Sequence, residues 1–182
     1  PGFTLGEAAT QIEKQEDGSF IVTSNKGTRV HASVVAIAGG LGSFEPRKPL
    51  IDGINFYEDK GVKYFIKNPE KFRDKRVVIA GGGDSALDWS IFLTNVASEV
   101  TLVHRRNEFR GALDSVEKVQ ELKNAGKIKL ITPAEVVGIN GAEHIESIDL
   151  DENGAHRKID CDYFIPLFGL TPKLGPIGNW GL

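Results

Sequence analysis

The first forty residues contain short runs of apolar or alternating positions, separated by residues that favour turns. The runs are 8–14, 20–23 and 30–38, and Asp17-Gly18 and Asn25-Lys26-Gly27 stand between them. Short runs joined by such turns are typical of antiparallel hairpins, so a β-meander is predicted. The end of the last run, 34–38, is continuously apolar, which predicts a closing strand buried on both faces.

A strand, a glycine turn and a helix are predicted within 75–97. Residues 76–80 form an apolar run that ends at Gly81-Gly82-Gly83. Ala86, Ser90, Leu93 and Ala97 then recur at the spacing of one helical face. A second apolar run, 99–104, follows at once, which completes a β-α-β unit.

The second half of the chain continues the same alternation. A helix is predicted over 114–125, ended by Gly126, and a third strand over 128–131. Two strands are expected on either side of the Glu152-Asn153-Gly154 turn, and a last apolar stretch covers 163–168. Residues 46–72 show no periodicity and contain Pro49 and Gly53, so they are interpreted as a connecting segment.

Composition and charge exclude several classes of protein. The chain has 182 residues, of which 40% are hydrophobic, enough for a substantial core. Its net charge of −3 gives no whole-molecule attraction to nucleic acid or anionic lipid. No apolar run approaches the roughly 18 residues that span a bilayer, and a cytoplasmic protein is expected. The single cysteine, Cys161, cannot form an internal disulfide.

The glycine turn matches a dinucleotide fingerprint, Gly81-x-Gly83-x-x-Ala86, placed between a strand and a helix. In such a turn the first glycine permits the tight bend and the second lets a pyrophosphate approach the backbone. The small third residue lets the helix pack against the strand, and the helix start favours an anion. The cofactor-binding residues predicted here are Gly81, Gly82, Gly83, Asp84, Ser85 and Ala86. Asp84 is more typical of a carboxylate that favours the helix dipole than of a catalytic group.

The residues after the second strand indicate which dinucleotide binds. NAD sites place Asp or Glu there to accept hydrogen bonds from the ribose 2′-hydroxyl, whereas this chain has His104-Arg105-Arg106. Guanidinium groups bind a 2′-phosphate through charge-assisted hydrogen bonds, so NADP(H) is favoured. Arg110 is positioned to close on the same phosphate. The alternative is a solvated basic loop without a ligand.

Together, the 78–86 strand and turn and the Val103-His104-Arg105-Arg106-x-x-Phe109-Arg110 run resemble the NADPH domain of thioredoxin-reductase-like flavoproteins. The resemblance extends over essentially the whole chain. It implies that the three arginines bind the adenosine 2′-phosphate. Residues 36–40 are similar to the Ala-Thr-Gly stretch that closes the family's FAD domain, with Gly39 in place of the threonine. Gly39 and Gly40 are therefore further expected cofactor-binding residues.

Within this family, the resemblance favours the ferredoxin/flavodoxin–NADP reductases. Thioredoxin reductases carry a Cys-x-x-Cys pair in the stretch that corresponds to 63–69, and no cysteine occurs there. Without a dithiol, electrons cannot pass to a disulfide by exchange. The resemblance implies hydride exchange between the nicotinamide and FAD, then transfer of single electrons to ferredoxin or flavodoxin. No catalytic acid or base and no metal ligand is predicted, and the intact parent is expected to be a homodimer.

The expected architecture is α/β: a three-layer Rossmann-like NADP-binding domain with a central parallel sheet and β-meander, plus a partial FAD domain. The expected divisions are 1–45 for the partial FAD domain with its meander and closing strand, and 46–72 for the connecting segment. Residues 73–166 form the NADP domain, and 167–182 return toward the rest of the FAD domain. Because the FAD domain's first glycine fingerprint is missing, the chain is interpreted as a fragment that binds NADP(H) without holding FAD.

Two other functions stay open at this point. One is a non-catalytic NADPH-binding module that reports redox state. The other is a disulfide reductase that uses cysteines on another chain.

Overall fold

The structure is a computed structural model that describes residues 2–38, 44–172 and 175–181. The chain forms two compact units. The smaller comprises Pro1–Glu45 with Leu170–Leu182, and the larger comprises Pro46–Gly169.

The smaller unit contains the predicted meander. Its strands β1 (Ala9–Lys14), β2 (Phe20–Ser24) and β3 (Arg29–Ala32) form an antiparallel sheet in the order β1-β2-β3. A short strand, β4 (Phe44–Pro46), pairs with a strand near the C-terminus, Leu170–Pro172, labelled β12 below. A 3-10 helix follows at Gly175–Asn179, and the Trp180 indole N–H donates to the Thr10 carbonyl.

The prediction of a buried closing strand at 34–38 is wrong. These residues form no strand, and the side chains of Val34 and Ile37 are 81% and 48% exposed. A continuous apolar run becomes a buried strand only where neighbouring strands pair with its backbone and other layers cover its faces. In the described part of the chain, no strand pairs with this run.

The larger unit follows the predicted β-α-β order. Its elements are β5 (Arg76–Ala80), α1 (Asp84–Leu93), β6 (Glu99–Val103), α2 (Leu113–Asn124), β7 (Lys129–Ile131), β8 (Glu135–Asn140), β9 (Ser147–Glu152), β10 (Ala155–Asp160) and β11 (Tyr163–Pro166). Short 3-10 helices lie at Ile54–Tyr57 and Pro69–Phe72. Four strands form a parallel sheet in the order β11-β5-β6-β7, and β8, β9 and β10 form a second meander.

The parallel sheet is the middle of three layers because its strands are apolar on both faces. Alternate residues of β5 point to opposite sides, as in any strand. Val77 and Ile79 pack in one cluster with Ala86 and Leu87 of α1. Val78 packs in the other cluster, which includes buried residues of β9. The three-layer α/β architecture and its central parallel sheet confirm the predicted fold class.

Two details differ from the sequence interpretation. Residues 46–72, interpreted as a connecting segment, lie within the larger unit, and Ile51, Ile54 and Val62 are buried in its core. Helix α1 ends at Leu93, one turn earlier than the pattern through Ala97 indicated, and Val96 is the buried residue that follows. Apolar spacing can continue past the end of a helix because a turn can also bury side chains.

Candidate nucleotide-binding site

Strand register brings the glycine turn and the arginine run together. Strands β5 and β6 are parallel neighbours, and Ala80 is paired with Val103 at their carboxyl ends. The Gly81 amide donates to the Val103 carbonyl across 3.0 Å. The turn after β5 and the loop after β6 therefore leave the same edge of the sheet side by side, at the edge where open α/β sheets bind ligands.

The glycines of the turn have different surroundings. A Cβ on Gly81 would lie 2.7 Å from the Leu167 carbonyl oxygen and 2.8 Å from the Ala86 Cβ. A Cβ on Gly82 would lie within 2.2 to 2.5 Å of three atoms of the His104 ring. A Cβ on Gly83 would meet nothing within 4 Å. Gly81 and Gly82 are thus required by protein packing, whereas Gly83 borders open space at the surface.

Helix α1 begins at this open space. Gly83 is its N-cap and supplies no side chain to cap the first turn, and its carbonyl accepts from the amides of Ala86 and Leu87. The first amides of a helix have no intrahelical acceptor, and the helix dipole places partial positive charge beside them. Gly83, Asp84 and Ser85 lie at or near the surface here, so an anion can reach the amides at the helix start.

The structure places the ring of His104 beneath the glycine turn. Its side chain is buried, stacks on Phe109 with 5.1 Å between ring centroids, and lies 3.1 Å from the Glu108 carbonyl oxygen. A carbonyl only accepts, so Nε2 carries the proton. Burial is the main cause that lowers the pKa of His104, and the charges of Arg105, Arg110 and Arg106 lower it further. His104 therefore supports the loop that carries the arginines.

All three arginines are exposed around this imidazole. Within the described ranges, none of their guanidinium groups has a salt-bridge partner. The Arg110 amide donates to the Gly82 carbonyl across 2.7 Å, which ties the far end of the loop to the glycine turn. Arg105, Arg106 and Arg110 thus form a local cationic surface next to the start of α1. Their charges are available to an external anion.

Two contacts that hold the loop were not predicted from the sequence: one is made by Asp84, which the fingerprint assigned to cofactor binding, and the other is made at Gly111. Asp84 Oδ1 accepts from the Ala112 amide at 2.7 Å, so this carboxylate anchors the residues that follow Arg110. A Cβ on Gly111 would lie 2.5 Å from Leu87 Cδ1 and 3.1 Å from Asp84 Oδ1. Gly111 therefore allows the loop to pack closely on α1. In the sequence, the glycine that directly follows Arg110 was the signal for this close packing.

Other predicted features contribute less to this site. Ala86 is buried against Gly81, as the fingerprint requires. Gly39 and Gly40 lie outside the described residues. Cys161 is buried, and burial raises its pKa to about 12. In the described part of the chain, no cluster of His, Cys, Asp or Glu is arranged to hold a metal ion, and no helix is both long and apolar enough to cross a bilayer.

The chain is similar in sequence to known proteins. It is 88% identical over 182 residues to a ferredoxin–NADP reductase of Flavobacterium johnsoniae, and 76% identical over 183 residues to one of Flavobacterium psychrophilum. Each match covers 100% of this chain and 52% of the relative, so the chain spans about half the length of these relatives.

Solved structures share the fold. Lactococcus lactis thioredoxin reductase in its FR conformation matches with a TM-score of 0.79 at 24% identity, covering 96% of this chain and 56% of that one. The thioredoxin reductase of T. acidophilum matches with a TM-score of 0.80 at 23% identity, covering 97% and 57%. A family model described as pyridine nucleotide-disulphide oxidoreductase matches residues 3–182. The chain therefore belongs to the pyridine nucleotide-disulphide oxidoreductase family.

Proposed function

We propose that this chain binds NADP(H) and is the NADP-binding part of an FAD-dependent ferredoxin/flavodoxin–NADP reductase. The observation that carries the proposal is the set of exposed arginines beside the open start of α1. The fingerprint glycine at the helix start, Gly83, has open space where a Cβ would stand. Each feature suits one of the two phosphate groups that distinguish NADP(H) from a simple nucleoside.

The pyrophosphate is assigned to the start of α1. There the backbone amides and the helix dipole favour an anion, and the absence of a side chain at Gly83 allows close approach. The 2′-phosphate is assigned to Arg105, Arg106 and Arg110. A hydrogen bond to a charged group contributes about 1.5 to 3 kcal/mol, and exposure places these contacts near the lower end.

The same arginines disfavour NAD(H). The 2′-hydroxyl of NAD needs an acceptor, which in NAD sites is a carboxylate at the end of the second strand. This chain has His104 at that position, and its ring is buried beneath the glycine turn, so it is not presented at the surface as an acceptor. Guanidinium groups only donate hydrogen bonds. They can donate several to the oxygens of a 2′-phosphate, but they cannot accept the proton that the 2′-hydroxyl of NAD donates.

The chemistry proposed for the intact protein belongs to its cofactors. When bound, NADP(H) and FAD supply hydride exchange, and FAD then supplies single electrons to ferredoxin or flavodoxin. The relatives named ferredoxin–NADP reductase support this assignment over disulfide reduction. The protonated, buried Cys161 supports it too, because disulfide exchange needs an accessible thiolate. The proposal includes a homodimeric parent, as the sequence resemblance implies, and a cytoplasmic location, as expected from the sequence composition.

Isothermal titration calorimetry of the purified chain with NADP⁺ and NAD⁺ tests the nucleotide assignment. In the double variant Arg105→Ala/Arg106→Ala, affinity for NADP⁺ is expected to fall about 100-fold, at roughly 1.4 kcal/mol for each arginine. Affinity for NAD⁺ is expected to change less than about 2-fold, because no contact to the 2′-position is lost. Equal losses for the two nucleotides would refute the assignment.

The matched control is Lys123→Ala/Lys127→Ala, which removes the same charge from exposed positions on the same unit. Its affinity for NADP⁺ is expected to stay close to that of the unaltered chain. If it fell as far as that of the arginine variant, the effect would come from net charge alone.

A further inference from the structure

Residues 56–73 carry lysines that the nucleotide site does not use. A tight turn arranges the first of them, because the amides of Lys60 and Val62 both donate to the Tyr57 carbonyl, at 2.9 and 3.0 Å. Lys60 Nζ lies over the Phe56 ring, 3.8 Å from its centroid. Lys63 Nζ lies 2.5 Å from Asp59 Oδ1. The turn therefore carries two lysines, one over an exposed aromatic ring and one paired with Asp59.

Two more lysines, Lys67 and Lys71, follow this turn in the sequence. The pKa of Asp59 is lowered first by the hydrogen bond from Lys63, and the charges of Lys71 and Lys67 lower it further. Lys71 lies in the short 3-10 helix Pro69–Phe72, which the Asn68 side chain caps, and Lys67 directly precedes that cap. Both are exposed, and neither has a salt-bridge partner in the described part of the chain.

The acidic residues in this stretch are already paired. Glu58 contacts Lys48 and Glu70 contacts Arg73, while Asp59 contacts Lys63 as described. The stretch therefore keeps excess positive charge on a chain whose net charge is −3. Because the chain as a whole is negatively charged, this stretch attracts anions only locally.

Exposed aromatic rings accompany these charges. Phe56 and Phe65 are each 52% exposed, one beneath Lys60 and the other between Lys63 and Lys67 in the sequence. Protein interfaces commonly combine aromatic anchors with a charged rim. We define Phe56, Lys60, Lys63, Phe65, Lys67 and Lys71 as the lysine patch.

We propose that the lysine patch is the docking surface for a small electron-carrier protein whose contact face is rich in carboxylates. This inference rests on the proposed function, which requires such a carrier. Charge complementarity steers association and sets its orientation, and the exposed rings add apolar contact. Lysines suit a carrier that must leave again, because a strongly hydrated ammonium group holds a carboxylate less firmly than an arginine fork does.

Binding of an oxidised, strongly acidic ferredoxin to the purified chain tests the inference. Its affinity is expected to fall at least about 10-fold in Lys67→Glu/Lys71→Glu, with most of the change in the association rate. Raising NaCl from about 0.02 M to about 0.3 M is expected to weaken the binding of ferredoxin to the unaltered chain. The affinities of the unaltered chain and of the lysine variant should then differ less. Phe65→Ser is expected to weaken binding with little change in its salt dependence.

The matched control is Lys127→Glu/Lys158→Glu, which makes the same charge change at exposed positions on the same unit. Its affinity for ferredoxin is expected to stay within about 2-fold of the unaltered chain. An equal loss in this control, or no binding of ferredoxin to the unaltered chain, would overturn the inference. Patch-dependent binding to phosphatidylserine vesicles but not to ferredoxin would also overturn it, in favour of a lipid surface.

The affinity of every variant for NADP⁺ separates this inference from the proposed function. It is expected to be unchanged, which also shows that the variants are folded. Normal NADP⁺ binding with ferredoxin binding that ignores the patch would refute the docking surface alone. If the unaltered chain bound NADP⁺ no more tightly than NAD⁺, the proposed function would be refuted instead.

Discussion

Replacing Gly82 with alanine should destabilise the larger unit through one identifiable clash. The new Cβ would lie 2.2 Å from Cε1 and 2.4 Å from Nε2 of His104. The ring must retreat by more than about 1 Å to reach ordinary contact at about 3.5 Å or more. It cannot do so freely, because it is buried, stacked on Phe109 and bonded to the Glu108 carbonyl.

The expected cost follows from those contacts. Overpacking typically costs about 1 to 3 kcal/mol, and a lost hydrogen bond about 1 kcal/mol more. Together they lower the free energy of unfolding by about 2 to 4 kcal/mol, or roughly 10 °C in the melting temperature of a unit this size. The loop that carries the arginines should shift with the ring, so affinity for NADP⁺ should also fall.

Gly83→Ala is the matched control one residue away. Its Cβ meets nothing within 4 Å, so the melting temperature should change little. Because that Cβ would occupy the space assigned to the pyrophosphate, affinity should fall for NADP⁺ and NAD⁺ alike. Calorimetric melting and nucleotide titration of both variants thus separate a packing glycine from a ligand-facing one.

A double variant gives the sharpest check on the clash. Adding His104→Ala to Gly82→Ala removes the ring that the Cβ strikes, so the alanine at position 82 should cost little in that background. The two changes should therefore be non-additive by about 2 kcal/mol. Fully additive effects, or a Gly82→Ala variant as stable as the unaltered chain, would refute the packing described for this turn.

Three further predictions concern single side chains. Asp84→Ala should destabilise the unit by about 1 kcal/mol and weaken NADP⁺ binding in calorimetry, because the Ala112 amide loses its acceptor, while Asp84→Asn should retain most of both. Cys161 has a pKa of about 12, so it should react with a thiol reagent at pH 8 only after unfolding. The stability that the buried thiol contributes should be lost as pH rises above about 9, where the thiol of the unfolded chain ionises. The pKa of His104 is lowered in the folded chain, so the unfolded chain binds this proton more tightly and stability should fall as pH drops below about 6.5. Between about pH 7 and about pH 5, the melting temperature of His104→Gln should fall less than that of the unaltered chain.

Local signals predicted the elements that carry the site. The apolar run of β5, the glycine turn and the helical spacing of Ala86, Ser90 and Leu93 each have a local cause, and the structure confirms all three. Strand β8 was missed because an irregular register at Val136/Gly138 interrupts the alternation that marks a strand. The run at 34–38 was mispredicted because burial depends on partners that a local pattern does not show.

The direction of the His104 ring could not be predicted from the sequence. Its place in the motif correctly indicated a residue between strand and arginines, but not whether the ring points outward or beneath the turn. That depends on the Ala80–Val103 register and on the small residue at Gly82. The role of Asp84 similarly depends on a contact with Ala112, 28 residues away in the sequence.

The central claim is that the arginine surface binds the 2′-phosphate of NADP(H). A crystal structure of the chain with NADP⁺ tests it most directly. We expect 2′-phosphate oxygens within about 3 Å of the guanidinium groups of Arg105 or Arg106, with the pyrophosphate at Gly83. An adenosine 2′-phosphate that lies in solvent, away from these arginines, would contradict the account.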